Sequence, residues 1–308
     1  MSTLHPRQSA LSAIDTANVW INSERLTAER LRGRVVLVDF WTYSCVNWLR
    51  TLPYIRAWET RYRDRGLVVV GVHAPEFEFE HDVENVQRAT RELGVGYPVV
   101  LDNGFTIWRS FENHYWPAVY LVDREGDIRF HHFGEEAYEE TEQAIQQLLG
   151  VEEATVRVDA DGLFEAADWD TLGSPETYLG SARSEHGSDP DAGRLALNHW
   201  SLTGAWSVGS EAAVLDAAVG SVSYRFQARD LNLVLAPPAR GAAVRFSVRI
   251  DGQAPGDSHG LDIDAAGEGT VSEPRMYQIV REREAVGERD FEITFLGPGV
   301  RAYVFTFG

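Results

Sequence analysis

Along the first half of the chain, short apolar runs alternate with stretches whose apolar residues recur at helical spacing. Arg34 to Trp41 (RVVLVDFW) is nearly continuous and β-branched, the pattern of a strand covered on both faces. Val46 to Arg65 follows, with Leu49, Leu52, Tyr54, Ile55 and Trp58 near helical period. That predicts a helix kinked at Pro53 and stopped by Gly66. Leu67 to Val72 (LVVVGV) predicts a second buried strand, His81 to Leu93 a helix closed by Gly94, and Tyr97 to Leu101 a further strand. Phe105 to Phe111 reads as a short helical segment ahead of Trp116-Pro117. Ala118 to Val122 and Ile128 to Phe133 flank Asp123-Arg124-Glu125-Gly126, a hairpin turn signal, and Tyr138 to Leu149 is a last amphipathic helix ending at Gly150. The order βαβαβαββα predicts an α/β sandwich around a mixed sheet.

The second half has a different texture. From about Val151 to Gly193 the chain is rich in Asp, Glu, Gly and Ser. After that, apolar residues alternate: Val222, Tyr224 and Phe226; Leu231, Leu233 and Leu235; Val244, Phe246, Val248 and Ile250; Phe291, Ile293 and Phe295. Such runs, separated by Gly, Pro and Asp turns, predict an antiparallel sandwich or jelly roll. A chain of 308 residues is long enough for two cores, and the change of pattern places domains at 1–155 and 156–308.

Composition narrows the chemistry. All 28 basic residues are arginine, against 47 acidic ones, for a formal charge of −19. Without lysine there is no Walker A loop and no Schiff-base or Ser-Lys mechanism. The acidic balance argues against a nucleic-acid partner, which needs a clustered basic face. The N-terminal stretch has no uninterrupted apolar segment, and no later window approaches the roughly 18 apolar residues of a membrane span. Neither a signal peptide nor a membrane span is expected, and the cytoplasm suits a protein with a lone reduced thiol. That thiol is Cys45, the one cysteine, so an intrachain disulfide and a cysteine zinc cage are both excluded.

A strand that ends in a short loop and enters a helix puts Cys45 at a helix N-terminus. Unpaired backbone N–H groups and the helix dipole favour an anion there. Such sites lower a thiol from a pKa of ~8.5 to roughly 3.5–7.5, which makes a nucleophilic or redox-active cysteine. A buried structural cysteine is the plain alternative.

The segment VLVDFWTYSC before a helix, GVHAPEFEFE after the next strand and YWPAVYLVDREG at the later proline resemble the thioredoxin fold in its TlpA/DipZ-like branch. SPETYLG and LNHWSLTGAW, followed by alternating strands, resemble the carbohydrate-binding-module-like sandwich appended to DipZ-type thioredoxin domains. The resemblance implies an α/β thioredoxin fold followed by an all-β jelly-roll/sandwich domain. It implies that Cys45 matches the nucleophile of the C-x-x-C motif and Asp39 the buried carboxylate that moves protons to and from the thiols. Pro117 matches the proline that is cis in this fold and, with Trp116 before it, faces the nucleophile across a groove able to hold an extended peptide. The plain readings are a salt-bridged strand acid for Asp39 and a strand-start proline for Pro117.

One departure changes the expected chemistry. Where dithiol relatives carry a second cysteine, this chain has Trp48 (C-V-N-W), and release of a mixed disulfide normally needs that resolving thiol. Trp48 is also expected to cover Cys45 and restrict access. What remains is monothiol exchange with protein thiols or low-molecular-weight thiols or redox sensing through Cys45, isomerase-like shuffling, sulfenate chemistry, or a non-catalytic binding module that has lost dithiol turnover. Thr42 supplies the T-x-x-C half of a peroxiredoxin pattern, but the proline of that pattern is Val38, so a one-Cys peroxidase is a lesser reading.

No cofactor is implied, and no metal is expected. His73, His81, His114, His131 and His132 accompany a single thiolate, too few soft ligands for a copper-type site, and neighbours His131 and His132 point to opposite faces of a strand. They read as solvated or hydrogen-bonded imidazoles. Glu76, Glu78 and Glu80, alternating with Phe77 and Phe79, read as a solvated strand face, with an acidic lip beside the thiol as the alternative. In the second domain the resemblance suggests a carbohydrate or protein ligand, with His199-Trp200, Trp206 and Tyr224 as an aromatic platform. Aromatics in sandwiches are more often core, and most of these are expected there.

Overall fold

All seven residues of the strand Val35–Trp41 are buried, as its continuous apolar run requires. The computed structural model describes residues 10–189 and 193–308, and the opening of the N-terminal stretch read above for a signal peptide lies outside them. The chain divides into a unit ending at Phe164 and a unit Glu165–Gly308.

The first unit contains β1 (Trp20–Ile21), α1 (Ala28–Leu31), β2 (Val35–Trp41), α2 (Val46–Tyr62), β3 (Leu67–His73), α3 (Val83–Glu92), β4 (Val99–Leu101), α4 (Thr106–Ser110), β5 (Ala118–Val122), β6 (Ile128–Phe133) and α5 (Tyr138–Leu149). Its sheet runs β1-β4-β3-β2-β5-β6, with β2, β3 and β4 mutually parallel and the other pairings antiparallel. This is the thioredoxin fold. Because successive strand residues face opposite ways, Val36, Val38 and Phe40 enter a core shared with Leu11, Ile14, Ile107, Trp108 and Phe111. Asp39 and Trp41 point to the other face, where α2 meets them through Trp48.

Local differences from the sequence pattern have local causes. α2 continues through Pro53 and ends at Tyr62, and Arg63–Arg65 form a 3-10 turn before Gly66 at φ 104°. An interior proline costs roughly 3 kcal/mol, which burial of Leu49, Leu52, Ile55 and Trp58 at roughly 1.5–3 kcal/mol each outweighs. The helix expected from His81 is split: Glu78–His81 form a 3-10 turn, and α3 starts at Val83 because the Asp82 carboxylate accepts the Glu84 N–H. β1 leaves no mark in the hydrophobic pattern, being only two residues long.

In the second unit the strands are β7 (Thr177–Tyr178), β8 (Trp200–Thr203), β9 (Trp206–Val208), β10 (Ala213–Leu215), β11 (Gly220–Gln227), β12 (Asp230–Ala236), β13 (Val244–Ile250), β14 (Glu268–Val271), β15 (Arg275–Arg281), β16 (Glu288–Phe295) and β17 (Arg301–Phe307). They form one sheet in the order β15-β12-β17-β10-β9, with β7 on β17, and a second in the order β14-β13-β16-β11-β8. Their strand pairings are antiparallel. The alternating residues Tyr224, Phe226, Phe246, Val248, Phe291 and Ile293 all lie in one core. Among the described residues, no helix is long and apolar enough to cross a membrane.

Candidate functional site

β2 hands the chain to α2 through Thr42, Tyr43 and Ser44, and Cys45 is the N-cap of the helix. Its N–H closes the turn onto the Thr42 carbonyl at 3.3 Å, and its own carbonyl accepts the Leu49 N–H at 3.1 Å. Cys45 is half-buried and takes no part in a disulfide. Its Sγ lies 3.9 Å from the Trp116 carbonyl oxygen, to which the thiol donates, and the Trp116–Pro117 peptide is cis. The Trp116 indole is fixed by an N–H bond to the Ala74 carbonyl at 3.0 Å and by packing on Trp108. Cys45, Trp116 and Pro117 are therefore brought together as the sequence suggests. A sulfur at the start of a long helix, facing a backbone carbonyl, is placed for nucleophilic attack on an extended chain.

Asp39 is occupied elsewhere. It is fully buried, and its Oδ2 accepts the Trp48 indole N–H at 3.1 Å and the Tyr97 hydroxyl at 3.0 Å, while Oδ1 has no partner. Burial pushes its pKa up to about 7, against the smaller opposing pull of those two donors. Its two bonds lead to an indole and a phenol. Trp48 itself is fully buried and stacked on Trp41, with ring centroids 4.2 Å apart at 23°. Its N–H needs an acceptor, and Asp39 supplies one inside.

A second acid at the site comes from the run of Glu76, Glu78 and Glu80. Glu80 is completely buried; its Oε1 accepts the Ser44 hydroxyl at 2.5 Å, and its Oε2 accepts the N–H groups of Glu76 and Phe77 at 2.6 and 3.0 Å. Burial, assisted by the charge of Glu76, raises its pKa to about 7, while the hydroxyls of Ser44 and Thr42 and the Phe77 N–H lower it. The solvated strand face predicted for Glu76, Glu78 and Glu80 is therefore wrong for Glu80; of the three only Glu78 is exposed. A 3-10 turn aligns residues three apart, so Phe77 and Glu80 turn inward together. Thr42 is buried, and its hydroxyl has no hydrogen-bond partner.

His73 also corrects the expectation of a solvated or hydrogen-bonded imidazole. It is buried between Trp41 and Tyr43, at 4.9 and 5.8 Å, with no hydrogen-bond partner for either ring nitrogen. Burial pushes it down to about 3, so the ring is neutral. His131 and His132 sit opposite Tyr120 and Val119 on β5 and so face opposite ways. Among the described residues no group of three His, Cys, Asp or Glu side chains is placed to hold a metal ion.

In the second unit the aromatic set is largely interior. Tyr224 is buried with its hydroxyl 2.9 Å from Thr177 Oγ1, and Trp200 donates its N–H to the Glu185 carbonyl at 2.8 Å. Trp206 is half-buried with its ring edge-on to Phe295, and His199 pairs with Ser188. These side chains build core and support loops, and they form no flat exposed platform.

A strand–loop–helix thiol set against a cis-proline peptide defines a thioredoxin-type site. Residues 13–131 match the AhpC/TSA family, and residues 174–308 match the thioredoxin-like C-terminal domain family. DipZ of Mycobacterium tuberculosis is 34% identical over 232 residues, 70% of this chain and 33% of that protein, so this chain spans about a third of the relative's length. The thiol-disulfide oxidoreductase YkuV of Bacillus subtilis is 30% identical over 131 residues, 42% of this chain and 87% of that one. Among solved structures, a thiol-disulfide isomerase from Corynebacterium glutamicum is 25% identical, covering 43% of this chain and 92% of its own, with a TM-score of 0.40. The chain belongs to the thioredoxin-like thiol–disulfide oxidoreductase family, in its DipZ-type branch with the C-terminal β-rich domain.

Proposed function

We propose that the protein is a monothiol thioredoxin-like exchange factor acting through Cys45 on protein thiols or low-molecular-weight thiols, in a reducing compartment such as the cytoplasm. One observation carries the reading: a half-exposed sulfur at the α2 N-cap faces the Trp116–Pro117 peptide, while a buried tryptophan stands where a resolving thiol would be. The Cys45 thiolate attacks one sulfur of a disulfide R–S–S–R′, forming Cys45–S–S–R and expelling R′–S⁻. A second external thiolate, R″–S⁻, then attacks the R sulfur, forming R–S–S–R″ and restoring the Cys45 thiolate. Nothing is oxidised or reduced overall beyond the exchanged thiols. Trp116 and Pro117 shape the groove for R, and Asp39, buried with a pKa of about 7 and bonded to Trp48 and Tyr97, is the acid that would manage the thiol's proton.

A second reading, a binding module without turnover, is favoured by the full burial of Trp48. A peroxidase is not favoured, because Val38 stands at the proline position of that pattern. Titrating the rate of Cys45 alkylation against pH, and weighing the chain after incubation with glutathione disulfide, decides between exchange and mere binding. Exchange predicts a half-point well below the ~8.5 of a free thiol and a glutathione adduct on Cys45 that excess thiol removes. An inert thiol with no adduct at any pH leaves the binding module.

A further inference from the structure

Two buried acids lie behind the loop that carries the thiol, and they are wired differently. Asp39 is bonded to an indole and a phenol. Glu80 is bonded to Ser44, the residue immediately before Cys45. A serine hydroxyl has one proton to donate, and here it goes to Glu80 Oε1 at 2.5 Å from a side chain almost wholly out of solvent. The other carboxylate oxygen is anchored by the Glu76 and Phe77 N–H groups. The Glu78–His81 turn is itself held, since Asn85 donates to the Phe79 carbonyl and Asn103 to the His81 carbonyl. A continuous set of hydrogen bonds thus runs from α3 through the turn to the Cys45 loop.

We infer that Glu80 is a positioning residue for Cys45: through Ser44 it fixes the loop bearing the sulfur and holds a carboxylate against the residue next to it. The inference rests on the exchange reading above, since it matters only where Cys45 reacts. Such an arrangement acts in two opposed ways. The tether keeps the sulfur at the helix N-cap, where an anion is favoured; the carboxylate charge, being of the same sign, disfavours that anion. The groups facing Glu80 are Ser44 and Thr42 from the β2–α2 loop and Glu76 and the Phe77 N–H from its own turn. Burial that raises Glu80 toward neutrality means its charge changes in the range where the thiol is used.

Two variants separate tether from charge. Glu80→Gln keeps an oxygen for the backbone N–H groups and an amide for Ser44, and removes the charge. Ser44→Ala keeps the acid and removes the tether. The alkylation half-point of Cys45 in the full chain is expected to fall in Glu80→Gln, making reaction below that half-point about three- to tenfold faster, and to rise toward the free-thiol value in Ser44→Ala. Near-ultraviolet circular dichroism and the melting curve show that each variant is folded. A purely structural role for Glu80 loosens the N-cap in either variant and moves both half-points upward; that result, or profiles superimposed on the parent, overturns the inference. If the parent thiol is inert, it is the exchange reading that fails. A reactive parent with an unmoved Glu80→Gln profile sinks only the role of Glu80.

Discussion

Replacing Asp39 by asparagine removes a charge that the interior resists. The carboxyl titrates near 3.8 when unfolded and near 7 when folded, a difference of about three units or roughly 4 kcal/mol. A folded pKa raised above the unfolded one means that the folded state holds the proton more tightly between those values. Stability is therefore fully present below about pH 4, falls as pH rises toward about 7, and is level beyond. Asparagine cannot ionise, so the variant gains relative to the parent across that window. There is an offset. The amide oxygen of the replacement can accept from Trp48 and Tyr97, which puts its NH₂ where Asp39 Oδ1 has no partner, and an unpaired buried donor costs about 1–3 kcal/mol. The net expectation is that Asp39→Asn is more stable by about 1–3 kcal/mol at pH 8 and no more stable than the parent at pH 4.5. Urea unfolding at both pH values, followed by tryptophan fluorescence, measures this, with the second unit's transition as internal reference. Glu80 imposes a slope of the same sign in parent and variant, so it cancels in the comparison. No gain at pH 8, or an equal gain at both pH values, refutes the claim that burial penalises this carboxylate.

Two further substitutions probe the same pocket. Trp48→Cys restores a C-x-x-C motif but removes the Trp41 stack and a donor to Asp39, so it should cost roughly 3–5 kcal/mol while creating an oxidisable dithiol. Intact mass after mild oxidation, together with insulin reduction, checks it; a chain that folds but forms no internal disulfide contradicts the placement of residue 48. Gly71→Ala puts a Cβ 2.9 Å from both Trp41 Nε1 and Tyr97 Cε2, crowding the rings around Asp39, and should lower stability by about 1–3 kcal/mol. An unchanged melting temperature means that this pocket yields more easily than its contacts imply.

What the sequence made legible is what periodicity encodes. β2 and β3 are read from continuous apolar runs, α2 and α5 from helical spacing, and β11, β13 and β16 from strict alternation. The place of Pro117 beside Cys45 comes from the resemblance to the thioredoxin fold, whereas Cys45 itself was legible because the turn from strand to helix is a local feature. Glu80 was not, because EFEFE alternates like a strand whether it is one or not, and only the Asp82 cap downstream shows that the chain turns there. Tyr97 and His73 were hidden for another reason: their roles depend on what lies opposite in the sheet, and no spacing along the chain reports it. One signal pointed toward Tyr97. An acid within a buried strand needs donors, and Asp39 found one of its two at a tyrosine that the pattern assigned only to the start of a strand.

The substitution at position 48 explains why the two acids differ. In this site residue 48 looks inward to Asp39, and a thiol there would exchange its proton with the carboxylate. An indole N–H keeps its proton at any accessible pH, so it can orient Asp39 but can never relay through it. The raised pKa of Asp39 is expressed as a pH-dependent loss of stability. Glu80 has no such permanent donor on Oε1. Its partner is a hydroxyl that can turn and accept when the acid is protonated, and that hydroxyl adjoins the reactive residue. With tryptophan at position 48, Asp39 is bonded to a group that keeps its proton, and the Ser44–Glu80 pair is the carboxylate bond that adjoins Cys45.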